Sequence, residues 1–166
     1  MAAAGIEIRN LSSDEELAGS VQVIRESFRT VAGELCLTER NCPTHPSFMT
    51  FQRLKAETVK GLQCFGLFTG DAQAGFVAAL AATADLFYLE RLAVLPEYRH
   101  RGYGRILVDH VFSFVSKSGG RRISIAVIHE SEVLKRWYSD YGFRETGTKV
   151  FPHLPFTVCF MEKETA

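Results

Sequence analysis

The stretch from Leu86 to Gly120 constrains the fold more than any other part of the chain. A mostly apolar run, Leu86-Phe87-Tyr88-Leu89-Glu90-Arg91-Leu92-Ala93-Val94, stops at Pro96. The turn Arg99-His100-Arg101-Gly102-Tyr103-Gly104 follows, and then Tyr103, Leu107, Val111 and Phe114 recur on one helical face. Gly119-Gly120 closes that helix, where a left-handed cap is needed. A strand that feeds an amphipathic helix through a tight turn belongs to a sheet with helices packed over it.

The rest of the chain fits that plan. Ile6 and Ile8 alternate with Glu7 and Arg9, the period of a half-buried strand. Ser12 or Ser13 can cap a first helix, with Asp14, Glu15 and Glu16 at its positive end. The prolines at 43 and 46 make 33–46 a loop, and the pattern predicts a second helix over 47–60. Strands are expected over 62–68 and 75–80 around Thr69-Gly70-Asp71, and over 123–128, the last buried on both faces. A helix over 131–141 ends at Gly142, and a hairpin closes around Pro152-His153-Leu154-Pro155. The expected fold is α/β: one domain over 1–166, with a single mixed, mostly antiparallel sheet and flanking helices.

Composition excludes several classes. With 166 residues, 46% hydrophobic, the chain can bury a core without staples and is not disordered. Nineteen Lys plus Arg balance nineteen Asp plus Glu, so no basic surplus suits a general nucleic-acid binder. No apolar run reaches the ~20 residues of a membrane span, so no membrane partner is expected. Met1 to Gly5 lack the basic flank and apolar segment of a secretory signal. Cys36, Cys42, Cys64 and Cys159 are scattered, which reads as reduced thiols in the cytoplasm.

The turn at 99–104 is the natural anion site. A helix start leaves its first N–H groups unpaired and partly positive, and Gly102 and Gly104 remove side chains that would hold a ligand off. Arg99, His100, Arg101 and Arg105 surround it, so a phosphate or pyrophosphate would relieve local repulsion. Leu107 stands where a dinucleotide fingerprint needs a small residue, and the Lys-Ser/Thr of a nucleotide-triphosphate loop is missing. The glycines alone also fit a simple tight turn with solvated arginines.

Val94-x-Pro96-x-x-Arg99-x-x-Gly102-x-Gly104 after an apolar strand resembles the GNAT acyltransferase superfamily, whose signature is Arg or Gln, then x-x-Gly-x-Gly or Ala. Ser131-Glu132-Val133-Leu134-Lys135-Arg136-Trp137-Tyr138-Ser139-Asp140-Tyr141-Gly142-Phe143 resembles a second block of that family, a helix with a tyrosine four residues before Gly-Phe. The resemblance spans about 86–143. It implies the GNAT fold and acetyl-CoA as cosubstrate. The pyrophosphate would lie on the N–H groups of His100, Arg101, Gly102, Tyr103, Gly104 and Arg105, beside Arg99. The pantetheine arm would pair with Leu92, Ala93 and Val94, next to the splayed strand 123–128. Ser131 stands where the family often has Asn, and Leu134 replaces a small residue.

The resemblance also nominates Tyr138 as the group facing the sulfur. At reference values a phenol near pKa 10 is a weaker acid than a thiol near 8.5. It would therefore stabilise the departing thiolate by a hydrogen bond, or act with a lowered pKa; a purely structural tyrosine on the Leu134–Tyr138–Tyr141 stripe is the competing reading. Glu90, a carboxylate in an apolar strand, is the candidate base, and a period of two places it on the face of Leu92 and Val94. It resembles the glutamate of polyamine-acetylating members; an ion pair with Arg91 or another surface charge is the alternative. Cys36, Cys42, His45, Glu39 and Arg40 are expected at the acceptor end, with no metal site and no cysteine nucleophile. His129 and His153 are further candidates for facing the site. The implied activity is direct acetyl transfer to a primary amine on a small molecule; a non-catalytic acyl-CoA-binding sensor is the alternative. Homodimers are common in the superfamily, but no segment here specifies an interface.

Overall fold

In the computed structural model, which describes residues 5–166, seven strands form one sheet. Met1 to Ala4, part of the terminus expected to carry no secretory signal, lie outside the described residues. The strands are β1 (Ile6–Leu11), β2 (Gln63–Thr69), β3 (Ala72–Ala81), β4 (Leu86–Val94), β5 (Arg122–Ile128), β6 (Arg144–Val150) and β7 (Thr157–Glu164). The helices are α1 (Asp14–Glu34), α2 (Phe51–Val59), α3 (Tyr103–Lys117) and α4 (Glu132–Tyr141). The sheet order is β1-β2-β3-β4-β5-β7-β6, antiparallel throughout except for β4 and β5, which run parallel. This is the mixed, mostly antiparallel α/β architecture read from the sequence.

Local chemistry sets the element ends. Ser13 Oγ accepts from the Glu16 N–H, and the Glu16 carboxylate accepts from the Ser13 N–H, a reciprocal capping box at the start of α1. The expected helix over 47–60 divides in two. Pro46–Phe48 is a 3-10 turn capped by His45, and α2 starts afresh at Phe51 because Thr50 Oγ1 takes the Arg53 N–H. Gly142, at φ 122°, lets the chain leave α4, as its position after Tyr141 implied.

Each face of the sheet carries its own core. On one, α3 and α4 bury Leu107, Val108, Val111, Val115, Tyr138 and Phe143 against alternate residues of β2 to β5 and β7. On the other, α1 and α2 bury Leu17, Val21, Ile24 and Leu54 against Cys64, Phe76, Ala78 and Ala93. Strand β5 is only partly covered on that second face, and Ala126 is exposed, so the expected burial on both faces is corrected. The reason is lateral: the α1–α2 core draws its strand residues from β1 to β4. No helix among the described residues is long and apolar enough to cross a membrane.

Candidate active site

The site lies where the sheet opens. Parallel pairing between β4 and β5 covers only Leu86 with Arg122, Phe87 with Ile123 and Tyr88 with Ser124. Beyond Tyr88 the strands part, because β4 continues along β3 to Val94 while β5 follows β7 to Ile128. The backbone of Leu89 to Val94 therefore has no strand partner on the β5 side, an exposed peptide edge inside a sheet. Leu92, Ala93 and Val94 lie along this edge.

The glycine turn closes the end of β4. Leu95 donates to Ala74 O, and Pro96–Tyr98 forms a 3-10 turn. His100 and Gly102 take left-handed φ values of 63° and 81°. Backbone that alternates hand in this way turns successive N–H groups to one concave side. None of the N–H groups from His100 to Arg105 has an acceptor among the described residues; the first amide of the helix to do so is Ile106, which donates to Gly102 O at 3.2 Å. The added helix dipole makes this a strong anion cradle. Trp137 of α4 packs beside Gly104, where an added Cβ would be in ordinary contact with the indole at 3.4 Å.

Arg99 is not one of the cradle's free cations. Its guanidinium donates to Ser27 O at 2.8 Å, Thr30 Oγ1 at 3.2 Å and Val94 O at 3.2 Å. Its own N–H goes to Pro96 O. Arg99 thus ties the turn to α1 and to the end of β4. Arg101 lies 5.5 Å over the Tyr98 ring and Arg105 lies 5.2 Å over the Tyr141 ring. Neither has a carboxylate partner within salt-bridge distance among the described residues. Arg105, Trp137, Asp140 and Tyr141 line a cleft of about 250 Å³ between α3 and α4.

Tyr138 is 5% exposed, its ring held edge-on by Trp137 and Phe143. No hydrogen bond ties its hydroxyl to the described residues. Ser27 Oγ is the only fully enclosed side-chain polar atom among them without a partner, so the Tyr138 oxygen reaches the surface. Burial raises the phenol pKa. A raised pKa keeps the phenol neutral and runs against the reading that needs a lowered one, which leaves the hydrogen-bonding and the purely packing readings of this tyrosine. Ser131 Oγ accepts from the Leu134 N–H at 3.4 Å as the cap of α4, which leaves its O–H free to donate.

The expected face of Glu90 is corrected. Ala78 pairs with Glu90 and Phe76 with Ala93, so two β4 residues, Arg91 and Leu92, oppose Val77 alone. This is a β-bulge, with Arg91 at φ 55°. The extra residue reverses the alternation. Leu92 and Val94 pack toward α3 and α4, while Glu90 shares the α1–α2 face with Ala78 and Ala93. Burial raises the Glu90 pKa; Arg91 pulls it down and Glu57 pushes it up by smaller amounts. Arg91 reaches Glu57 of α2 with both terminal nitrogens, one contact at 2.7 Å, and lies 3.7 Å from Glu90. The sequence named Arg91 as a possible ion-pair partner of Glu90, and at 3.7 Å that pair is present though loose; Glu57 was not singled out. Two adjacent charges breaking the period of an apolar strand are the signal that could have found the bulge.

The acceptor-end residues divide. Cys42 is buried with Ala32 and Leu37 against Leu154 and Phe156, so the loop after α1 meets the β6–β7 loop. His45 is buried as well; its Nδ1 meets Ser47 Oγ at 2.7 Å, and burial lowers its pKa to about 4. Cys36 and Glu39 instead line a cleft of about 430 Å³ with Arg25 and Arg29, while Arg40 is exposed. His129 Nδ1 sits 3.4 Å from Lys135 Nζ, and His153 packs on Phe151.

A family model described as "Acetyltransferase (GNAT) family" matches residues 34–143. Among solved structures, the chain is similar to PaiA N-acetyltransferase from Thermoplasma acidophilum in complex with coenzyme A, at 23% identity and TM-score 0.79, covering 96% of this chain and 99% of that one. A GNAT-family protein from Desulfovibrio desulfuricans matches at 22% identity and TM-score 0.74, covering 98% and 100%. The ribosomal-protein-S18-alanine N-acetyltransferase from Escherichia coli matches at 17% identity and TM-score 0.74, covering 98% and 95%.

Proposed function

The chain belongs to the GNAT acetyltransferase family, enzymes that take the acetyl group of acetyl-CoA, and from that premise we propose that it acetylates a primary amine on a small molecule by direct attack. Membership sets aside the non-catalytic sensor reading. The observation that carries the proposal is the row of unpaired amides from His100 to Arg105 beside the parted β4 and β5. The residues fit the donor. The cradle takes the pyrophosphate, and the free edge of Leu92, Ala93 and Val94 meets the amides of the pantetheine arm. Arg101 and Arg105 add positive charge, while Arg99 contributes by fixing the turn. Ser131 caps α4 by accepting from Leu134 N–H, and its O–H is left to donate toward the arm.

The chemistry needs a neutral amine. An ammonium near pKa 10.4 must lose a proton before attack, and Glu90 takes it, directly or through a water. A raised carboxyl pKa makes Glu90 a better base near neutrality than an exposed glutamate. The nitrogen then adds to the thioester carbonyl, and collapse of the tetrahedral oxyanion breaks the C–S bond. Tyr138 donates a hydrogen bond to the departing thiolate, and the proton lost by the new amide nitrogen ends on coenzyme A.

A small acceptor is favoured by the contact of the loop after α1 with the β6–β7 loop through Leu37, Cys42, Leu154 and Phe156. On this reading the two joined loops restrict access by a folded protein surface more than by a small amine. The test is release of free coenzyme A, with mass spectrometry of products, across polyamines, amino acids, aminoglycosides and peptide N-termini. The proposal expects turnover with a small amine and an acid limb in its pH–rate profile that Glu90→Gln removes. Turnover confined to protein substrates, or an intact profile in Glu90→Gln, would refute the acceptor class or the base respectively.

A further inference from the structure

Glu90 lies next to a permanent cation, and the ion pair between them is loose, a single contact at 3.7 Å. The Arg91 guanidinium gives Glu57 both terminal nitrogens and leaves Glu90 a single approach at 3.7 Å. The geometry explains the preference. At φ 55° the bulge turns the Arg91 side chain toward α2, where it is only 10% exposed, and Glu57 waits there, itself braced by Arg53 Nε at 3.3 Å. Bidentate pairing satisfies a guanidinium better than a lone oblique contact.

We infer that Glu57 is a positioning residue for Glu90: by holding Arg91 at both nitrogens, it keeps that cation from closing on the Glu90 carboxylate and leaves the carboxylate free for the acceptor amine. The charged groups around Glu90 are Arg91 on β4 and Glu57 and Arg53 on α2. On β2, Cys64 lies by the Arg91–Glu57 pair and stays a neutral thiol, its pKa pushed up to about 12 by burial. On β3, Glu90 pairs with Ala78, on a face whose neighbouring residues Phe76 and Leu80 carry no charge. Without the Glu57 charge, the nearest carboxylate to Arg91 is Glu90, and closure would both block it and weaken it as a base. The strain of a left-handed arginine fits this purpose, because the bulge aims Arg91 at α2 rather than along its own strand.

The inference rests on the proposed role of Glu90, and its test is independent of any acceptor. Protein carrying 13C-labelled glutamate side chains is titrated by NMR, with the Glu90 carboxyl resonance assigned by its loss in Glu90→Gln. Glu57→Gln should lower the Glu90 midpoint by at least about one pH unit, a tenfold loss of proton affinity. Glu57→Asp should leave it near the native value. With Arg91→Gln already in place, Glu57→Gln should lower the midpoint far less than it does beside the native Arg91. A purely direct effect of the Glu57 charge would lower it equally in both backgrounds. If Glu57→Gln does not fold, Arg91→Gln carries the test: it leaves Glu57 unneutralised and should raise the midpoint. An unmoved midpoint in the folded variants overturns the inference. A moved midpoint with normal pH–rate behaviour in Glu90→Gln would instead refute Glu90 as base and leave the positioning intact.

Discussion

Replacing Tyr138 by Phe separates a reacting hydroxyl from a packing ring. The ring is the structural part: it is enclosed, and Phe keeps its contacts with Trp137 and Phe143. The oxygen has no partner among the described residues, so its removal orphans no buried group and costs the fold about 0.5 kcal/mol or less. A hydrogen bond to a charged thiolate contributes about 1.5–3 kcal/mol. At 1.36 kcal/mol per factor of ten, its loss lowers kcat by roughly 10- to 150-fold. The raised phenol pKa adds a second expectation, that no tyrosine ionisation enters the rate profile below about pH 10. The assay is free-thiol release from acetyl-CoA with the best amine of the panel, beside a melting curve of each protein. Strongly reduced turnover at an unchanged melting temperature supports the assignment. Turnover within about twofold of native would refute it, and a collapsed melting temperature would place the hydroxyl in the fold.

Two further expectations concern the scaffold. With a folded-state pKa of about 4 for His45 against 6.5 when free, the unfolded chain binds the proton first, so stability falls as pH drops from about 6.5 to about 4, by roughly 3 kcal/mol. His45→Asn keeps an acceptor for the Ser47 N–H and should flatten that part of the curve in urea unfolding at stepped pH. Arg99→Ala removes three side-chain hydrogen bonds between the turn, α1 and β4, and should cost about 2 kcal/mol, or roughly 4–8 °C in melting temperature. Calorimetric titration of Arg99→Ala should show weaker coenzyme A binding as well, because the cradle is no longer tethered.

The element order and sheet class were legible because they rest on local signals: the apolar run ending at Pro96, the cap at Ser12 or Ser13, and the glycines at 102, 119 and 142. The glycine turn and the Ser131–Phe143 block carried the family resemblance, and the match over residues 34–143 bears it out. Long-range partners were not legible. Glu57 binds Arg91 from 34 residues away, and with Arg91 on α2 the strand bulges and Glu90 changes face. Arg99 reads as a free cation until α1 supplies Ser27 and Thr30 as its acceptors. The break at Met49-Thr50 escaped because helical apolar spacing continues across it, while the decisive bond, Arg53 N–H to Thr50 Oγ1, is a cap inside an unbroken pattern.

The grip on the donor can be watched directly. In 15N-labelled protein titrated in parallel with coenzyme A and with pantetheine, the backbone amide signals of residues 100 to 105 should move strongly with the first and stay in place with the second, because only the first carries the diphosphate. Saturable coenzyme A binding that leaves those six signals unmoved would contradict the account at its foundation.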